Sequence, residues 1–177
     1  MPELEQLYKG FPKKVTQIGL PYKVYELIPG PPDQSRELTD IGGAGDDLLV
    51  SYFFAPESFG TQTFRWSTYK GGVFLPAFND KVTHIDINMM AGPRPDFLGR
   101  PSCIFWLNGI RIGIIWPALN WATYRLAVPD AIRAVARAGA TVSLSFKVAP
   151  FSPINYIPGN QDARLLGVAV DYVKLIE

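Results

Sequence analysis

The chain has one histidine, His84, and one cysteine, Cys103. A lone histidine excludes a metal centre built on histidines and any His–His relay, and no Ser-His-Asp spacing accompanies it. A lone cysteine excludes an intramolecular disulfide. Its place beside Ile104, Phe105 and Trp106, in a strand-like run, reads as a small buried hydrophobe and not a reactive thiol. Charge is also scarce: Asp, Glu, Lys and Arg make up 19% of 177 residues, with a net charge of +1. The basic residues are scattered, so no run lies ready for a nucleic-acid backbone, and nucleic acid is not an expected partner. No apolar run reaches the roughly 20 residues that a membrane helix needs. The longest, Ile110 to Ala118, is broken by Arg111, Gly113 and Pro117. Met1-Pro-Glu-Leu-Glu does not have the form of a signal peptide. The chain reads as soluble, without a span of its own.

What is present is a β pattern. The stretch Leu20 to Ile28 alternates apolar with polar residues as one extended strand, and Pro29-Gly-Pro-Pro-Asp33 after it fits neither helix nor central strand. Residues 1–36 are therefore an N-terminal extended segment with a Pro-rich linker, and residues 37–177 are the domain. Strands are expected over Asp47–Phe54, Thr61–Tyr69 and Gly72–Phe78, the last two joined by a turn at Lys70-Gly-Gly. Val82–Met89 has two faces, with Ile85, Ile87 and Met89 against His84, Asp86 and Asn88. Cys103–Leu107 and Ile110–Ile115 flank Asn108-Gly109, the strongest short hairpin signal in the chain. Trp121–Val128, Thr141–Val148 and a terminal strand near Leu166–Ile176 complete the set. One short helix is expected, capped by Asp130, with Ile132, Val135 and Ala136 on its apolar face and Gly139 at its end. Ala149–Asp162, rich in proline, reads as a shaped loop. The fold class is all-β: an antiparallel jelly-roll-like β-sandwich with one short helix.

Chemistry is harder to place. Gly42-Gly-Ala-Gly45 lacks the βαβ context of a nucleotide loop and reads as a turn. Asp46 and Asp47 after it are the candidate metal ligands, for calcium, the one cofactor their hard oxygens would favour. Glycoside hydrolysis needs two carboxylates across a cleft, and spacing singles out no pair from Glu57, Asp80, Asp86, Asp96, Asp162 and Asp171. The aromatics are richer: 4 Trp, 8 Tyr and 11 Phe. A sugar is bound by an exposed ring on its apolar face together with polar groups that orient its hydroxyls. Trp66 shares a phase with Phe64 and is expected inside, which leaves Arg65 outward. Trp116 and Trp121 lie at the turn between two strands and are the candidate platforms. Arg65 and Arg164 are the candidate cations, within expected reach of Glu57 and Asp162. The same four charges would otherwise serve as a clamp that pins loops to the sandwich.

These residues carry a resemblance. Pro56-Glu57, Thr63-Phe-Arg65-Trp66-Ser67, Asn108-Gly109, Pro153 and Asp162-x-Arg164-x-Leu166-Gly167-Val168-x-Val170-Asp171 are similar, in order, to the β-sandwich domain attached to bacterial membrane glycosyltransferases of the protein mannosyltransferase or dolichyl-phosphate-mannose type. Leu20-Pro-Tyr-Lys-Val-Tyr-Glu-Leu resembles the segment that precedes it. The resemblance implies a carbohydrate-binding-module-like fold on the extracytoplasmic face of a bacterial membrane, with transferase chemistry in a membrane part outside this chain. No catalytic residue carries over. Three functions fit. The first is a non-catalytic accessory module binding carbohydrate or a glycan-bearing partner through Arg65, Glu57, Trp116, Trp121, Asp162 and Arg164. The second is a structural or protein-docking domain without ligand, and the third a small glycan-active hydrolase or lyase.

Overall fold

The computed structural model describes residues 13–17, 23–27 and 37–177. The chain divides into two compact units, Met1–Ser35 and Arg36–Glu177. The first holds an antiparallel hairpin, β1 (Lys13–Gln17) and β2 (Lys23–Leu27), paired from Lys13 opposite Leu27 to Gln17 opposite Lys23. β2 falls within the strand expected over 20–28, whereas β1 carries no alternation to announce it. The Pro-rich run 29–33 lies outside the described residues.

The second unit is an antiparallel sandwich, as the alternation predicts. Its strands are β3 (Leu38–Asp40), β4 (Val50–Phe53), β5 (Glu57–Phe59), β6 (Gln62–Leu75), β7 (His84–Met90), β8 (Cys103–Leu107), β9 (Ile110–Ile115), β10 (Ala122–Ala127), β11 (Val142–Lys147) and β12 (Ala169–Ile176). They hydrogen-bond in the order β10-β7-β12-β6-β11-β8-β9, with β3 added to β12 and β4 and β5 added to β6. The strand order therefore has two halves, β10-β7-β12 and β11-β8-β9, joined through β6. The main core lies between them. Ile85, Ile87 and Met89 of β7, with Val173 and Leu175 of β12, meet Phe105 and Leu107 of β8 and Leu144 and Phe146 of β11. These inward residues recur at every second position, and their burial is the main force holding the halves together. The backbone also closes the start of the unit onto its end, because Leu175 donates its N–H to the Glu37 carbonyl.

Several local expectations hold. The Asn108-Gly109 turn has positive φ at both positions, 45° and 82°, and Leu107 faces Ile110 across it. Asn108 does more than turn. Its side-chain oxygen accepts from Ser143 N–H and its amide donates to the Thr141 carbonyl, fixing the hairpin tip to β11. Cys103 is fully buried, and burial pushes its thiol up to about 12.

Others are corrected. The two strands expected around Lys70-Gly-Gly are one 14-residue strand, β6. Gly71 and Gly72 are not a turn. Gly71 lies under the Phe146 ring, where a Cβ would come within 2.3 Å of a ring carbon. Val50–Phe53 is strand, but Asp46–Leu48 before it forms a 3₁₀ turn. The helix α1 (Asp130–Arg137) begins one residue earlier than a cap at Asp130 implies. Pro129 is the N-cap, and Asp130 pairs with Arg133. Ile132 is buried, whereas Val135 is exposed. A one-turn helix, α2 (Pro153–Tyr156), occupies part of the loop expected over 149–162, with a proline in its first turn, where the missing N–H does no harm.

The crossing of β6 with the residues before β12 is tight. Gly167 donates to the Ser67 carbonyl, Ser67 donates to the Val168 carbonyl, and a Cβ on Gly167 would sit 2.1 Å from the Thr68 carbonyl oxygen. Backbone cannot yield as a side chain would. Gly167→Val is expected to lower stability by about 3 kcal/mol or more; an unchanged urea midpoint would show that the crossing has slack.

Candidate functional site

The outer face of β4, β6, β11, β8 and β9 carries a trough. The registers place Ser51, Gly72, Ser145, Trp106 and Arg111 in one row across five strands. Residues opposite one another share a face, so this row is a continuous line of side chains. Its middle is small: a serine, a glycine and a serine. Beside it runs a second row, Lys70 opposite Lys147. On the other side Phe74 stands opposite Ser143. A cavity of about 420 Å³ is lined by Ser51, Tyr52, Lys70, Gly71, Gly72, Trp106, Ser145, Phe146 and Lys147. A second, of about 260 Å³, shares Ser51, Gly72 and Ser145 with the first and extends toward Leu48 and Phe74. From β4 to β8 the trough spans roughly 14 Å, at about 4.8 Å per strand. Neither lining includes a carboxylate.

An aromatic residue stands at each end. Trp106 is there because β8 alternates: Cys103, Phe105 and Leu107 go inward, so Ile104 and Trp106 face out. Tyr52 is there because β4 and β6 fall out of step. Ser51 faces Gly72, yet Phe53 faces Ser67, so residues 68–71 bulge opposite Tyr52 alone. Tyr52 takes up the mismatch with φ of 64°, a left-handed backbone that a tyrosine rarely adopts. Its exposed ring lies under the Lys70 ammonium, 3.6 Å from Nζ to the ring centroid, and the Tyr69 ring is 5.3 Å from the same nitrogen. Two rings thus hold a cation at the lip of the trough.

The residues singled out from the sequence lie elsewhere, in separate groups. Arg65, expected outward, is buried. The face opposite Phe64 and Trp66 is covered by the 41–49 loop, so both faces of β6 are enclosed here. Arg65 donates from Nε and Nη2 to the two oxygens of buried Asp46, each at 2.6 Å, and from Nη2 to Asp47 at 2.5 Å. Nη1 reaches the Phe54 carbonyl. The Asp46 and Asp47 oxygens considered for calcium therefore face a guanidinium, and among the described residues no group of three His, Cys, Asp or Glu could hold a metal ion. Gly42 brings this loop in. Its φ is 94°, its N–H donates to Asp46, and a Cβ would lie 2.5 Å from the Phe64 nitrogen.

Arg164, Glu57 and Asp162 do come together. Arg164 Nη1 donates to Glu57 at 2.7 Å, Nη2 and Nε donate to Asp162, and the guanidinium lies against the Phe54 ring. All three of its nitrogens are engaged within the protein. Arg164 holds the Asp162 carboxyl below its ordinary value of 3.8. Trp121 is half-buried in the smaller core cluster, edge-on to Phe64 at 5.4 Å, whereas Trp116 is 56% exposed. Trp66 is buried, as its phase with Phe64 requires. His84 is half-buried, with Nδ1 3.0 Å from the Thr83 hydroxyl.

No protein-family model matches the chain, and no curated protein matches it. Among solved structures it is similar to a family 29 carbohydrate-binding module complexed with cellulohexaose, at 11% identity and a TM-score of 0.41, over 78% of this chain and 89% of that one. It is also similar to another family 29 module at 10% identity and 0.38, over 71% and 75%. A third is a family 51 module from Clostridium perfringens bound to methyl-galactose, at 9% identity and 0.34, over 68% and 72%. The sandwich is defined by its own strands and core; these likenesses add no site or ligand to it.

The two charge clusters should differ in weight. Arg65→Ala leaves Asp46 buried without a cation and is expected to cost about 3–5 kcal/mol. Arg164→Ala breaks a cluster about one-third exposed and should cost about 1 kcal/mol. Asp162 adds a pH signature. Its folded value is depressed, so its contribution is complete above pH 3.8 and is lost as pH falls through the lower folded value. Urea titrations from neutral pH downward should show a shallower acid slope in Arg164→Ala than in the parent.

Proposed function

We propose that this chain is a non-catalytic carbohydrate-binding module whose ligand lies across the strands in the trough between Tyr52 and Trp106. The observation that carries this reading is the row Ser51–Gly72–Ser145–Trp106: a floor small enough to admit a sugar ring, two hydroxyls to meet its own, and an outward indole for its apolar face. Side-chain hydroxyls donate and accept, as sugar hydroxyls do, so both orientations of each hydrogen bond are open. The trough lining has no carboxylate pair, the groups that glycoside hydrolysis requires, which favours holding a glycan over cleaving it. Arg65, Glu57, Asp162 and Arg164 act as clamps that hold the loops around this frame. The ordered motifs from Pro56-Glu57 to Asp171 support the further tie to a membrane glycosyltransferase on the extracytoplasmic side of a bacterial envelope, with residues 1–36 as a leading segment and residues 37–177 as the module.

Binding by a single open trough is expected to be weak, with dissociation constants near 1 mM, about −4 kcal/mol. Tryptophan fluorescence titrated with an oligosaccharide panel should show a saturable change. Trp106→Ala should weaken binding ~30-fold, equivalent to about 2 kcal/mol, while Trp116→Ala leaves it within about threefold. Gly72→Val tests the floor from the other side: its Cβ crowds the Ser51 hydroxyl, at 2.5 Å, but stands 3.9 Å from the Leu144 carbonyl oxygen, so the variant should fold once that hydroxyl rotates and yet lose the ligand. If Trp106→Ala and Gly72→Val both bind as the parent does, the trough is not the site.

A further inference from the structure

Resting on that reading, we infer that the ligand is an acidic oligosaccharide, one whose rings carry a carboxylate or sulfate group. The inference comes from how charge is paired across the sheet. On the opposite half, Arg125 of β10 stands directly across from Asp86 of β7 and binds it through two hydrogen bonds of 2.7 Å. The trough reverses this. Lys70 of β6 stands directly across from Lys147 of β11, a like-charge pair that a sheet disfavours. One row away Arg111 stands across from Trp106. Among the described residues none of these three cations has a carboxylate partner; Lys81, Arg94, Arg100 and Lys174 have none either, but Lys70 and Lys147 are opposed directly across one seam. Opposed residues on neighbouring antiparallel strands have Cα atoms about 5 Å apart. An anionic group seated over the β6–β11 seam therefore lies within reach of both ammonium groups.

The geometry also orients such a ligand. Lys70 is held at the lip by the Tyr52 and Tyr69 rings, so little of its freedom remains to be lost on binding. A charged ring substituent over Lys70 and Lys147 leaves the sugar ring above Gly72 and Ser145, and the next ring against Trp106. Charge-assisted hydrogen bonds to two lysines are stronger than neutral ones, and no group in the trough lining repels an anion.

The test is calorimetry on the whole chain at low salt, with tetragalacturonate against its uncharged methyl ester. A sulfated galactan oligomer of similar length separates sulfate from carboxylate as the preferred anion. The acid form is expected to bind about tenfold tighter or more than the ester, and added salt should shrink the preference. Lys70→Gln with Lys147→Gln should bring acid and ester to parity without changing the melting temperature, while Trp106→Ala weakens both. If acid and ester bind equally and Trp106→Ala abolishes both, the acidic preference is wrong and the carbohydrate site stands. If the acid form binds but Trp106→Ala and Gly72→Val leave it unaffected, the lysines only adsorb polyanions and the inference fails. If neither these oligomers nor neutral ones bind at millimolar concentration, both readings fall.

Discussion

Everything in the sandwich depends on β6 serving two halves at once. Near its N-terminal end, Arg65 and Trp66 pair with Val170 and Ala169 of β12; from Lys70 to Leu75 it pairs with β11. Val73 and Leu75 enter the core between the halves, whereas Phe64 and Trp66, on the other face of the strand, join a smaller cluster with Phe151, Leu166 and Ala169; the register with β4 slips between Ser67 and Gly72. The Gly167 crossing fastens one side of that slip to the chain before β12. On the other side the slip sets Tyr52 in its left-handed conformation, beside Gly71 and Gly72. The trough thus lies beside the slip between β4 and β6, at the middle of the face and not at the loops.

The charges divide the same way. Buried Arg65 is bound at 2.6 Å to a buried carboxylate with further acceptors around it, whereas buried Arg94 donates to the Ala149 carbonyl and lies over the Phe151 ring. Where a charged side chain is partly exposed, as Arg164 is, the same chemistry is cheap and stabilises little. At the trough Lys70 and Lys147 stand opposite each other, neither paired with a carboxylate among the described residues, and aromatic rings hold Lys70.

The alternation of single strands was legible, and so were the Asn108-Gly109 turn, the inward faces of β7, β8 and β11, and the sandwich that these imply. The period-2 logic that buried Cys103, Phe105 and Leu107 also turned Trp106 outward. That signal was present and was outweighed by the exposed look of Trp116 beside Pro117. Lys70-Gly-Gly read as a turn because glycine usually breaks a strand, but β6 runs on through both glycines, and its slip against β4 falls opposite Tyr52. The partners of Arg65 were not legible. Asp46 lies 19 residues away along the chain, and only the folding of a loop over the second face of β6 brings it there. Tyr52 was hidden for the same reason: its conformation follows from a mismatch between two strands, not from its neighbours.

The contact between Leu175 and Glu37 has a mechanical meaning. The sandwich begins and ends side by side, with Leu38 opposite Lys174 and Asp40 opposite Tyr172. Tension applied at Glu37 and Glu177 would therefore peel β3 from β12 one hydrogen bond at a time and not shear the whole ladder together. Once β3 has come away, the load would pass along the 41–49 loop to Asp46, where the grip of Arg65 stands between it and β4. The trough lies beyond that anchor. A tethered copy of this unit could be tugged at its ends and lose a three-residue strand while Tyr52, Gly72 and Trp106 kept their places.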